Sequence, residues 1–212
     1  MYDDPVLYAC LGQDPALRSA IERIGPCRLR GADGKTPYQA LIRAIIGQQL
    51  HGRAAEAILG RVCALSGGDM PEPEALLALP EETLRGCGLS AAKFVALRGL
   101  AQARLEGIVP GVDEARLLDD EALIARLTSL RGVGRWTVEM LLIFTLGRSD
   151  VLPVDDFAIR AGWQKLYGLD TPPRPTALRT AGEKFSPWRS ALAWYLWRLS
   201  EEGKSVRNAL TG

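Results

Sequence analysis

Two glycines, Gly132 and Gly134, stand one residue apart between an amphipathic run that ends near Leu130 and an apolar run that starts at Trp136, in the stretch LRGVGRWTVEMLLIFTLGRSDVLPVDDFAIR. A chain with helical periodicity on both sides must turn sharply there, where glycine best tolerates a positive φ. The segment therefore reads as helix, hairpin, helix. The N–H groups of Gly134, Arg135 and Trp136 have no intrahelical acceptor, and with the helix dipole behind them they suit an anion such as a phosphate. On these residues alone, an ordinary tight connection accounts for the pattern as well.

Apolar positions recur at three and four along the rest of the chain, and no stretch alternates over the length of a strand, so the fold class expected is all-α. Helices are predicted near 14–24, 37–49, 51–66, 81–87, 90–106, 119–129, 134–147, 155–167, 175–185 and 187–202, separated by Gly31 through Pro37, Gly67 to Pro73, Gly107 to Gly111, Pro153, and the Pro172, Pro173 and Pro175 cluster. With 212 residues, 47% hydrophobic and 24% charged, the chain can bury one core or two small ones. Its first residues carry neither a basic n-region nor an apolar run of signal length, and no segment reaches about 18 uninterrupted apolar residues. An intracellular protein without a membrane segment is expected.

Cys10, Cys27, Cys63 and Cys87 lie far apart with no C-x-x-C pair, which speaks against a zinc site and, in the cytosol, against a disulfide framework. His51 is the only histidine, so no nucleophile–histidine pair or histidine metal set is available. A net charge of +1 gives no global attraction to a polyanion; any such footprint must be a local patch, with Lys93, Arg98, Arg131, Arg135 and Arg160 as candidates. Each of these also fits a solvated surface charge. Past the hairpin, Pro153 makes the chain extended, Asp155 is placed to cap a helix beginning at Asp156, and the dipole at that end favours negative charge. Local sequence alone is equally compatible with two acids that only cap. The tryptophans Trp188, Trp194 and Trp197 likewise fit either core anchors of a helix or a binding surface.

Four motifs in chain order carry a resemblance: AIIGQQLHGRAAEAI, GLSAAKFVALRGLA, LRGVGRWT with DVLPVDDFAIR, and SPWRSALAWYLWR, together covering most of residues 15–200. They resemble the helix-hairpin-helix base-excision DNA glycosylases, nearest the 3-methyladenine DNA glycosylase II branch. The resemblance implies a two-lobed helical fold with an active cleft between the lobes, 36–148 forming the central lobe with the hairpin and 1–35 plus 149–212 the other. It implies Asp156 as the catalytic acid, a phosphate grip at Gly132, Gly134 and Arg135, and a base pocket that includes Trp136, Met140 and Trp197. Gln49, Leu50 and His51 fall where the family inserts a wedge into the base stack. The backbone carbonyls of Thr128, Leu130 and Val133 fall where a monovalent cation, Na or K, is held; no other cofactor is expected. Relatives with an iron–sulfur cluster bind it near the C-terminus, which here has no cysteine.

The chemistry suits these residue types. Breaking an N-glycosidic bond passes through an oxocarbenium-like sugar, and a carboxylate near C1′ stabilises that charge as it develops. Bifunctional branches carry a lysine nucleophile where this chain has Trp136, so no lyase activity is expected. An indole instead offers a π face to a cationic alkylated purine. Met140 stands where the comparison member has an aromatic residue, which widens the range of bases expected. The expectation is a monofunctional glycosylase, acting as a monomer on double-stranded DNA that carries alkylated bases and leaving an abasic site, in the cytoplasm with the chromosomal DNA. Two alternatives stand beside it: a non-catalytic lesion-binding hairpin protein, which would have no need of Asp156, and a glycosylase of another branch acting on deaminated or oxidised bases.

Overall fold

The computed structural model describes residues 4–202. The outermost parts of the expected second lobe, 1–3 and 203–212, lie outside the described residues. Among the described residues there is no strand; in chain order the helices are α1 Pro5–Leu11, α2 Pro15–Ile24, α3 Pro37–Gly47, α4 Gly52–Ala64, α5 Pro73–Ala78, α6 Glu81–Gly86, α7 Ala91–Leu105, α8 Val112–Leu117, α9 Asp120–Thr128, α10 Arg135–Met140, α11 Phe157–Tyr167, α12 Pro175–Gly182 and α13 Arg189–Glu201. A π-helical turn, Leu141–Thr145, continues α10, and a 3-10 turn, Glu183–Phe185, comes after α12. The all-α fold class expected from periodicity is the one observed.

Three helices, α1, α5 and α8, are additions to the expected set. Each has only six or seven residues, over which apolar periodicity registers weakly, although α6, as short, is in the expected set. Several helix starts obey a local rule instead. Asp4, Asp14 and Thr36 each cap a helix whose next residue is proline, and their side chains accept the N–H of Val6, Leu17 and Gln39. Proline at this first position loses no bond and pre-sets φ. Pro37 and Pro73, which bound breaks in the sequence reading, thus open helices.

The chain divides into two compact units, one of Met1–Ala32 with Gly147–Gly212 and one of Asp33–Leu146. In the second, α3 and α5 pack on α7, and α9 on α10. Leu41, Ile42, Ile45 and Ile46 of α3 and Leu97, Leu100 and Ala101 of α7 are buried in this core. In the first unit α11 and α13 form the main contact, with α2 against both. Ile159, Trp163, Leu192, Tyr195 and Leu196 are buried here, and the Tyr195 hydroxyl donates to Gly25 O at 3.0 Å.

The α11–α13 contact is made backbone to backbone at one position. A Cβ built on Gly162 would lie 2.0 Å from the Leu196 carbonyl oxygen and 2.8 Å from Leu196 Cα. No rotamer relieves a clash between a Cβ and a main chain, so the helices must separate to admit even a methyl group. Gly162→Ala is therefore expected to destabilise the protein by about 3 kcal/mol or more, read as a drop in the midpoint of thermal or urea unfolding; an unchanged midpoint would show the helices free to part.

Candidate functional site

The segment that delivers Asp156 is held by α13. Ser190 Oγ accepts the Val151 N–H at 3.0 Å and donates to Arg148 O at 2.7 Å, while Ser190 N–H donates to Ser149 O at 2.9 Å. Arg189 adds a fork on the Asp150 carboxylate, Nε to Oδ1 at 2.6 Å and Nη2 to Oδ2 at 2.9 Å. Burial alone would raise the Asp150 pKa, but the hydrogen bonds from Arg189 and Ser186 outweigh it and hold the carboxyl below its ordinary value. Pro153 and Val154 are buried, and a turn closed by Asp156 N–H to Pro153 O brings the chain to α11. Asp150, Arg189 and Ser190 escape a sequence reading, because nothing in their spacing shows that a loop and a helix start forty residues apart will meet.

Asp156, not Asp155, is the N-cap. Its backbone is extended, at φ −68° and ψ 120°, and Oδ1 accepts the N–H of Ala158 at 2.7 Å and of Ile159 at 3.3 Å. The sequence reading starts the helix one residue early: the turn through Val154 and Asp155 uses up that residue, and Asp155 is left exposed. The second carboxylate oxygen of Asp156 accepts the indole N–H of Trp197 at 3.2 Å. Thus α11 supplies the acid, α13 supplies the indole, and the contact at Gly162 sets their spacing. Trp194, one turn earlier, packs edge-on against Tyr195 with Arg198 over its ring, and Trp188 precedes the first residue of α13.

In the other unit, α9 ends at Thr128 and the chain turns through Leu130 N–H to Leu127 O and Val133 N–H to Leu130 O. Gly132 has φ +83°, whereas Gly134 caps α10 with φ −94° and ψ 166°. Only the first glycine is needed for its left-handed backbone. A Cβ on Gly134 would meet nothing within 4 Å, so the fold itself gives no reason for glycine there. The Leu130 carbonyl, one of the three expected to face a cation, keeps a second lone pair beyond its bond with Val133. Thr128 Oγ1 is turned back on Ile124 O at 2.7 Å, leaving its main-chain carbonyl as the group in question. No cluster of three His, Cys, Asp or Glu side chains able to hold a metal occurs among the described residues.

The basic patch read from sequence is largely committed within the protein. Arg135 pairs with Glu121 and, at 3.1 Å, with the buried Glu139; these bonds, led by those to Glu121, raise its pKa further. Its side chain is thus turned to carboxylates. Lys93 Nζ donates to Ile46 O at 2.7 Å and Gln48 O at 2.8 Å, and Arg98 donates to Leu77 O at 2.8 Å. Arg160 lies over the Phe157 ring, and Arg131 is exposed.

Gln49, Leu50 and His51 form the exposed turn between α3 and α4. Gln49 has φ +58°, and His51 caps α4 without a side-chain hydrogen bond. Trp136 is 47% exposed at the start of α10. Met140, one turn on, lines a shallow cavity of about 150 Å³ with Thr137, Phe144 and residues of α3; Trp136 is not among its walls.

Comparison with known proteins places the chain in a family. DNA-3-methyladenine glycosylase 1 of Schizosaccharomyces pombe is 43% identical over 192 residues, covering 90% of this chain and 84% of that protein. The solved structure of the S. pombe 3-methyladenine DNA glycosylase in complex with abasic DNA superposes with a TM-score of 0.83 at 41% identity, covering 93% of this chain and 97% of that one. A Bacillus halodurans DNA-3-methyladenine glycosidase gives a TM-score of 0.85 at 33% identity, covering 99% and 97%. Residues 42–187, which include the hairpin and Asp156, match the model of the HhH-GPD superfamily base excision DNA repair protein, and the chain belongs to that superfamily.

Proposed function

We propose that this protein is a monofunctional DNA glycosylase that binds duplex DNA as a monomer, hydrolyses the N-glycosidic bond of alkylated bases of the 3-methyladenine type, and leaves an abasic site. The substrate class is supported by the relatives in S. pombe and B. halodurans, which are 3-methyladenine glycosylases. The observation that carries the reading is the Asp156 carboxylate. It is oriented by two backbone N–H groups on one oxygen and by the Trp197 indole on the other. A group held this way needs no reorganisation when charge appears on the sugar.

In the reaction, the C1′–N bond breaks with its electron pair leaving on the base, so a cationic alkylated base departs neutral. Water adds its oxygen to C1′ and releases a proton, for which the Asp156 carboxylate is the acceptor. Trp197, Trp136 and Met140 are proposed to contact the base, the indoles by stacking and cation–π attraction of about 0.5–2 kcal/mol. The backbone at Gly132, Gly134 and Arg135 grips a phosphate. A monovalent cation on the carbonyls of Thr128, Leu130 and Val133 would reinforce that negative ligand, and Gln49, Leu50 or His51 would fill the gap left by the flipped base. No helix of the described residues is long and apolar enough to cross a membrane, and the protein is proposed to act in the cytoplasm on chromosomal DNA.

Asp156→Asn retains an oxygen to cap α11 but loses the charge, and sets an amide N–H against the indole N–H. Base release from methylated duplex is expected to fall by at least about a hundredfold, with DNA binding kept; near-normal release would overturn the role of Asp156.

Gly134→Ala separates ligand from fold. Its unfolding midpoint is expected to match the wild type, since a Cβ meets open space, while affinity for every duplex falls and its salt dependence shrinks. Equal affinity in an anisotropy titration would make the hairpin a plain connection.

The end point of the reaction is an unbroken abasic strand. Each described lysine is bonded elsewhere: Lys35 to Asp33, Lys93 to the end of α3, Lys165 to Leu199 O and Ser200 O, and Lys184 to Asp14. Borohydride added during turnover should therefore trap no covalent complex, and the strand should break only on hot alkali. A trapped band would assign a lyase amine.

A further inference from the structure

Lys93 stands at the wrong end of its own helix. Its N–H donates to the Ser90 cap, which places a cation in the first turn of α7, where the dipole favours an anion. Its ammonium group instead reaches the last turn of α3, where carbonyls lack helical partners and a cation is favoured, and takes both Ile46 O and Gln48 O. Partial burial lowers its pKa, as expected for a charge drawn in against carbonyls.

The exposed turn begins directly after Gln48. Gln49 is held at φ +58°, a left-handed conformation that a non-glycine residue keeps only when its surroundings over-determine it. Lys93 fixes the carbonyl just before it, and Leu50 N–H closes the turn on Gly47 O at 3.1 Å. The side chain of Gln48 then runs to the hairpin: Nε2 donates to Gly132 O at 2.7 Å. The hairpin meets α7 as well. A Cβ on Gly132 would lie 3.3 Å from Ala96 Cβ, and Ala96 is three residues after Lys93, on the same helix face.

We propose that Lys93 and Gln48 are positioning residues that lock the 48–51 turn and the Gly132–Gly134 hairpin onto one face of α7, so that gap-filling turn and phosphate grip engage DNA as one rigid body. The roles of the two segments rest on the proposed glycosylase activity; the coupling itself rests on the hydrogen bonds. If one segment seats on a phosphate, the other is already at its place along the duplex, and the entropy of ordering it is not lost again at the moment of flipping. The benefit applies to duplex DNA, because a single strand leaves no gap to fill.

The test uses the full chain with Lys93→Met, Lys93→Arg, Gln48→Ala and the Lys93→Met/Gln48→Ala pair. Single-turnover release is measured from one oligonucleotide carrying a single N7-methylguanine, as duplex and as single strand, and amide hydrogen exchange is tracked by mass spectrometry without DNA. Lys93→Met and Gln48→Ala should each lower the duplex rate about tenfold and the single-strand rate much less, and Lys93→Arg should recover most of the loss. Exchange at 48–51 and at 132–134 should quicken together in either variant. Gln48→Ala keeps the test decisive if Lys93→Met unfolds, because it removes one half-buried side chain outside the core. Equal loss on both substrates, or faster exchange confined to one of the two segments, would overturn the proposal. If the wild type releases no base from either substrate, the functional reading has failed, and the exchange result alone still decides whether the two segments are coupled.

Discussion

The close approach of α11 and α13 at Gly162 is the constraint on which the acid depends. One helix is capped by Asp156 and the other carries Trp197, so the separation of two main chains, set by a missing side chain, fixes the distance between a carboxylate and an indole. Side-chain packing can relax by rotamer changes, but backbone contact cannot. A site that must present charge without reorganising benefits from being built on such a contact. The same helix α13 also fastens the incoming loop through Arg189 and Ser190, so the acid is fixed from its preceding chain and from its own helix.

Helix ends organise both halves of the chemistry. At α11 the orphan N–H groups are satisfied by the carboxylate that is proposed to do the work, and at α3 the orphan carbonyls are satisfied by Lys93. In each case a charge sits where the dipole favours it. Of the five basic residues beside the motifs, three are turned to protein acceptors. With a net charge of +1 and Lys93, Arg98 and Arg135 turned to protein acceptors, the proposed phosphate grip would draw on backbone N–H groups and on exposed residues such as Arg131.

The longer helices are legible in the sequence because periods of 3.6 accumulate over two or more turns; below that length legibility is uneven, since α6 is expected while α1, α5 and α8 are not, and of these three only α1 and α5 are marked, by a proline at the start. The hairpin and the four motifs are legible from order and spacing. Placing the cap on Asp155 fails by one residue because a β-turn before the helix leaves no periodic trace, and the cap depends on which residue is extended. The roles of Lys93 and Arg135 are hidden for a different reason. A basic residue beside a motif looks the same whether it faces solvent or a carbonyl brought in from another helix. Gly134 shows the reverse: its backbone angles would admit any residue, and only the structure reveals that the fold does not ask for glycine.

The π turn at the end of α10 has a topological consequence. Leu146 N–H bonds to Leu141 O, and the Phe144 carbonyl accepts the N–H of Asp33 at 3.0 Å, so the two ends of the Asp33–Leu146 unit are stitched together. In the other unit the cut ends also meet: a Cβ on Gly147 would lie 3.1 Å from Ala32 N. The hairpin unit is therefore an insertion of nearly zero span, which adds little loop-closure entropy to the unit it interrupts. During synthesis it can fold to completion as it leaves the ribosome. Helix α2 cannot, because α11 and α13, against which it packs, are made last.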